Sequence, residues 1–97
     1  MKEVNRIKMH MFDVLVDTNS GVVYQILKVP HGRKLFVMKR SPFPTTSYLW
    51  YTRKVVKKIR RGKFKYYRGK AMLERDHLII YDEQGNEKRI DVDFSAN

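Results

Sequence analysis

The chain has 97 residues, 42% of them hydrophobic and none of them cysteine. That composition allows one domain, 1–97, with one packed core, and it excludes disulfide stapling and thiolate metal sites. Lys and Arg number 21 against 10 Asp and Glu, a formal net charge of +11, so self-repulsion opposes the compact state unless an anionic partner offsets it. No run approaches the roughly 20 apolar residues of a spanning helix. The opening residues, Met1 to Lys8, lead into no long apolar region, so no signal peptide is expected and the expected compartment is the cytoplasm.

Residues 9–17 predict a first strand, with Phe12, Val14 and Val16 on one face and Asp13 and Leu15 on the other. Asp17 to Gly21 is a turn of short polar side chains closed by glycine. Residues 22–29 predict a second strand, Pro30 to Arg33 a tight turn, and residues 34–40 a third strand. Pro42 and Pro44 break the pattern, which predicts a loop over 41–47.

Residues 48–61 admit two readings. As a helix they have Ser47 as N-cap and Gly62 as stop, and they place Tyr48, Thr52, Val55, Val56 and Ile59 on one face. The same residues also admit a strand over 48–52 followed by a short helix, because Tyr48-Leu49-Trp50-Tyr51-Thr52 has strong strand propensity.

Residues 63–68 predict a strand with Phe64 and Tyr66 on one side and Lys63, Lys65 and Tyr67 on the other, and residues 70–74 continue it or begin another. Arg75-Asp76 reads as a turn, 77–81 as a short apolar strand, and 82–87 as a hairpin loop. Residues 88–94 alternate, with Ile90, Val92 and Phe94 inward and Asp91 and Asp93 outward, before an end at 95–97 expected to fray. About six short strands with one helix at most make the chain mainly β or α+β. Antiparallel strands protect their edges by closing, so the expected architecture is a small SH3-like or OB-like barrel.

The charge is concentrated. Residues 41–70 hold ten basic and no acidic side chains, while residues 71–97 hold three basic and seven acidic ones. Seven of the twelve aromatic residues fall between 43 and 67, so the basic third is a folded segment rather than a tail. Arg53, Lys54, Lys57, Lys58, Arg60, Arg61, Lys63, Lys65, Arg68 and Lys70 are the candidate contacts to backbone phosphates. If 48–61 is helical, its basic side fits along a duplex backbone or into a major groove. If it is strand, Trp50, Tyr51 and Tyr67 are candidate platforms for stacking unpaired bases. Arg60-Arg61-Gly62-Lys63 surrounds a flexible glycine with three charges but lacks the spacing of a P-loop.

The plainer reading is a solvated basic face, with Tyr48, Val55, Val56, Ile59, Phe64 and Tyr66 in the core. Ten cations without a carboxylate in thirty residues favour an anionic partner, with nucleic acid (DNA or RNA) first and an acidic surface on another protein as the alternative. A third reading is a divalent-metal nuclease built on Asp91 and Asp93 with Glu74, Asp76 or Glu87. It competes with the simpler view of polar residues on the wet side of a strand. His10, His31 and His77 share no metal-ligand spacing, and no nucleophile triad or glycine-rich cofactor loop is present. No catalytic, metal-binding or cofactor-binding residue is therefore assigned.

Overall fold

Val14, Leu15 and Val16 are three consecutive aliphatic residues, which suits a strand covered on both faces. In the computed structural model, which describes residues 8–29, 33–42, 44–74, 77–81 and 84–91 (without the side chains of 70–74, 77, 78, 90 and 91), they open the central strand. The elements are β1 (Val14–Asp17), β2 (Val23–Lys28), β3 (Lys34–Ser41), β4 (Thr46–Tyr51), α1 (Thr52–Arg60), β5 (Phe64–Glu74), β6 (His77–Tyr81) and β7 (Glu87–Asp91). The strands form one antiparallel sheet in the order β4-β3-β2-β1-β5-β6-β7.

The expectation of a mostly antiparallel β structure with one helix holds. The sheet is not closed into a barrel, since β4 and β7 end its strand order. The reason lies in the inner face. Leu15 sits opposite Tyr24 and Tyr66 and shares a buried cluster with Met9, Ile26, Leu35, Val37, Val55 and Phe64. Trp50 of β4 and Phe64 of β5 stack with ring centroids 5.8 Å apart. Those strands are four places apart, about 19 Å in a flat sheet, so the sheet curls toward this face. The space left between its curled ends is taken by α1, whose Val55 is buried in the same cluster, and not by a strand pair.

The outer face of β1 is covered differently. Val14 and Val23 pack with Ile80 of β6, and Val16 and Tyr67 flank them. β5 makes this possible by changing partner along its length. Residues 64–67 pair with β1, residues 68–74 pair with β6, and the register shifts between Gly69 and Leu73.

A buried carboxylate holds the point of exchange. Asp13, 1% exposed, accepts from the Tyr66 hydroxyl, from the Gly69 N–H at 3.2 Å and from the His10 N–H at 2.8 Å. The Arg68 Nε lies 3.4 Å from Asp13 Oδ1, the oxygen that also accepts from Gly69. The backbone before it turns sharply, with Phe12 at φ 74°. The Phe12 carbonyl accepts from the buried Gln25 side chain, which in turn accepts from Arg40. A Cβ on Gly69 would stand 1.7 Å from that carbonyl oxygen, so the close approach of the two backbones requires glycine.

Several boundaries differ from expectation. β1 begins at Val14, not at 9, because residues 10–13 form a turn in which the Asp13 N–H donates to the His10 carbonyl. The segment 48–61 is not one helix: residues 46–51 are strand and the helix starts at Thr52. Tyr48 and Trp50 gain more by packing on Tyr24, at 6.0 and 4.8 Å, than a first helical turn offers them. This strand raises the count to seven. Residues 30–32 of the turn expected at 30–33, the turn expected at 75–76, and residues 92–94 of the alternation expected over 88–94 lie outside the described residues. Among the described residues no helix is long and apolar enough to cross a membrane.

Two outcomes follow from this junction. Gly69→Ala forces two backbone segments apart and lowers the unfolding free energy by about 2–3 kcal/mol, read as a lower urea midpoint. Tyr66, whose ordinary value is 10.0, has its hydroxyl pKa raised by burial first and then by its bond to Asp13. The folded state therefore holds this proton more tightly than the unfolded chain. Its contribution is complete below pH about 10 and is lost as pH rises above that value. Tyr66→Phe lowers stability at neutral pH by about 1–2 kcal/mol but flattens its decline above pH about 10. Urea midpoints measured from neutral to alkaline pH check both effects.

Candidate nucleic-acid interface

The nine residues of α1 contain five cations and only three aliphatic side chains, Val55, Val56 and Ile59. Val55 is buried, and Val56 and Ile59 are partly buried against the same core cluster. That stripe fixes the rotation of the helix, because a lysine or arginine head costs several kcal/mol to bury unpaired. Arg53, Lys54, Lys57, Lys58 and Arg60 are accordingly all exposed, as are Arg61 and Lys63 just beyond.

The helix starts weakly and ends well. Tyr51 stands at the N-cap without a side-chain hydrogen bond, and no acidic residue lies in the first turn. Lys57, Lys58 and Arg60 in the last turn complement the negative end of the helix dipole. Gly62, at φ 75°, lets the chain reverse so that its N–H reaches the Ile59 carbonyl and the Lys63 N–H reaches the Lys58 carbonyl. Thr18 pins the reversal from the β1–β2 turn, its hydroxyl donating to the Gly62 carbonyl at 2.7 Å and its N–H donating to the Lys63 carbonyl at 3.0 Å.

The loop is thereby held against the helix end, and a hollow of about 240 Å³ opens between them. Lys54, Lys57, Lys58, Arg61 and Lys63 line it. One of these cations, Lys58, acts on the carboxylate of Asp17. Its pKa is held below the ordinary carboxylate value by backbone N–H bonds from Ser20 and then Asn19, with a smaller share from Lys58.

The ten predicted phosphate contacts do not form one stripe. Seven of them, from Arg53 to Lys63, belong to the helix and its reversal. Lys65 is exposed on the opposite side of β5, opposite Val16. Arg68 is turned toward Asp13. Lys70 is part of β5, but its side chain lies outside the description. The aromatic candidates also separate. Trp50 is enclosed by the rings of Tyr24, Tyr48 and Phe64, and Tyr67 is half-buried under Lys88. Of the three, only Tyr51 is exposed, with Lys34 at 5.0 Å and Lys54 at 5.8 Å from its ring centre.

Two cations outside the basic third join these groups, and sequence reasoning did not single them out. Lys34 reaches Tyr51 because β3 pairs with β4 in that register. Lys88 joins Lys65 and Arg68 around a second hollow of about 470 Å³ at the β5 exchange point. Local charge density shows neither, since both depend on strand pairing.

Among the described residues no group of three His, Asp or Glu side chains is placed to hold a metal ion. Asp76 and Asp93 lie outside the described residues, as do the side chains of Glu74 and Asp91. No protein-family model matches the chain, and neither does any curated protein or solved structure.

Proposed function

We propose that this chain binds nucleic acid through the phosphate backbone, using the outward face of α1 and the reversal that follows it. The single observation behind this reading is that Lys54, Lys57, Lys58, Arg61 and Lys63, all exposed, border one hollow without a carboxylate in its lining. Five cations around one concavity repel each other in the free protein. A phosphate backbone removes that repulsion and releases its own condensed counterions on binding.

The form of nucleic acid follows from where the rings are. A stacking platform for successive unpaired bases needs several exposed rings, whereas Trp50 is engaged by three other aromatic residues, Tyr67 is half-buried and Tyr51 alone of the three is exposed. The helix instead offers cations at 54, 57, 58 and 61, over about 10 Å of axial rise. This arrangement suits contact along a duplex backbone, with little reading of base sequence.

The test is a titration of short duplex DNA, single-stranded DNA and RNA at salt concentrations from about 50 to 200 mM. Affinity is expected to fall steeply with salt, and to fall for duplex most of all. Lys57→Ala, Arg61→Ala and Lys63→Ala are each expected to reduce the slope of log K against log salt by about one. Lys88→Ala is expected to leave it unchanged. Salt-independent binding, or a slope that survives the triple replacement, would overturn the reading.

A further inference from the structure

β4 ends the sheet, and among the described residues nothing pairs with its outer edge. Edge strands are normally guarded by charged residues, bulges or proline within the strand. Here the guard is missing. All six residues of β4 pair in unbroken register with β3. They lie within residues 41–52, the longest stretch of the chain without Asp, Glu, Lys or Arg, although 32% of the whole chain is charged.

The two sides of this edge differ. Toward the helix, a groove of about 210 Å³ is lined by Leu49, Trp50, Tyr51 and Val55 and rimmed by Lys54 and Lys58. Leu49 and Tyr51 border the groove from the face opposite Trp50, where Phe36 and Leu49 stand directly opposite each other at 44% and 49% exposure and Tyr51, 48% exposed, lies under the Lys34 and Lys54 heads.

We infer that the β4 edge is a docking site for an extended segment of a partner protein. The segment adds as an eighth strand and alternates acidic with apolar side chains. Backbone N–H and C=O groups supply the pairing, as in strand addition generally. Alternate side chains of the added strand point to opposite faces. One set lies beside Trp50, toward Lys54 and Lys58; the other lies beside Leu49 and Tyr51, the exposed residues of β4 on the opposite face. The two lysines are separated by about 6 Å of helix rise, close to the roughly 6.8 Å between alternate side chains of a strand.

A second copy of this chain fits less well. Two β4 strands paired with their faces aligned bring both helices to the same side. The joined sheet then carries the lysines of both helices on one face, adding like charge to like charge with no carboxylate in the lining of either groove. Charge complementarity selects an acidic segment. This site overlaps the basic hollow at Lys54 and Lys58, which border both, and is otherwise built from β4 and Val55.

Trp50 is the only tryptophan and lines the groove, so its fluorescence reports docking directly. The probe is a capped synthetic peptide of alternating valine and aspartate, about seven residues long to span the six of β4. Saturable change in Trp50 emission is expected, weakened about tenfold or more (about 1.4 kcal/mol) by Leu49→Glu and by Lys54→Glu. Lys88→Glu, at the other end of the sheet, is expected to leave the affinity unchanged. A valine–lysine peptide and a peptide with central proline are expected not to bind. The proposal is overturned if the aspartate and lysine peptides bind alike, or if neither Leu49→Glu nor Lys54→Glu weakens binding. It is also overturned if the free chain dimerises by sedimentation and Leu49→Glu abolishes the dimer, since the occupant is then a second copy.

Discussion

A charged head cannot be buried without a partner, and in this chain that constraint does most of the positioning. α1 has one narrow apolar stripe, of Val55, Val56 and Ile59, among five cations. Only one rotation of the helix buries the stripe and leaves every cation in water. Once α1 is set that way, it occupies the space between the curled ends of the sheet with its apolar side. β4 and β5 then meet through the rings of Trp50 and Phe64 and not through a strand ladder, and the sheet stays open. The basic hollow and the unpaired edge are thus two consequences of one packing decision. The aromatic cluster of Tyr24, Tyr48, Trp50 and Phe64 supports it from below, and Lys58 lies 5.2 Å over the Phe64 ring.

The second determinant is the exchange of partners along β5. A strand of eleven residues that pairs first with β1 and then with β6 must bend, and Gly69 lies where it does so. Asp13 fastens the bend with three hydrogen bonds from Tyr66, Gly69 and His10. The bend carries β6 onto the outer face of β1 and β2, where Ile80 meets Val14 and Val23. That cover does not extend to β3 and β4. The exposure of Phe36 and Leu49 follows from how far the second half of β5 reaches, so the apolar patch is a product of topology and not a local accident of composition.

Much of this was legible in the sequence where the signal was local. The alternation of Phe64, Lys65, Tyr66 and Tyr67 gave the two faces of β5 correctly. Val55, Val56 and Ile59 were readable as an inner stripe from their spacing alone. The split of 48–61 was not decided locally, because residues 48–51 suit both states and the choice rests on long-range contact with Tyr24 and β3. The turn at Phe12 and Asp13 was hidden for a similar reason. Phe12 has no local cause to adopt φ 74°, and the compensation comes from Gln25, Tyr66 and Gly69, as many as 56 residues away. The division of the ten cations into separate groups was likewise invisible, since neighbours in sequence such as Lys63 and Lys65 take opposite sides only once a strand begins between them.

An edge strand without charge of its own raises the question of what opposes pairing between two such edges. β4 itself carries no charge, and its outer face is apolar. The guard stands one element away: Lys54 and Lys58 rim the groove beside the strand. At physiological ionic strength the screening length is about 8 Å, so two such rims repel effectively only when the edges are nearly in contact. That is the range at which strand pairing begins. Protection supplied from a neighbouring helix differs from protection supplied within the strand, because it leaves the backbone groups and the apolar side chains available. In the proposed docking, the same two lysines that oppose a like-charged copy attract a segment of opposite charge.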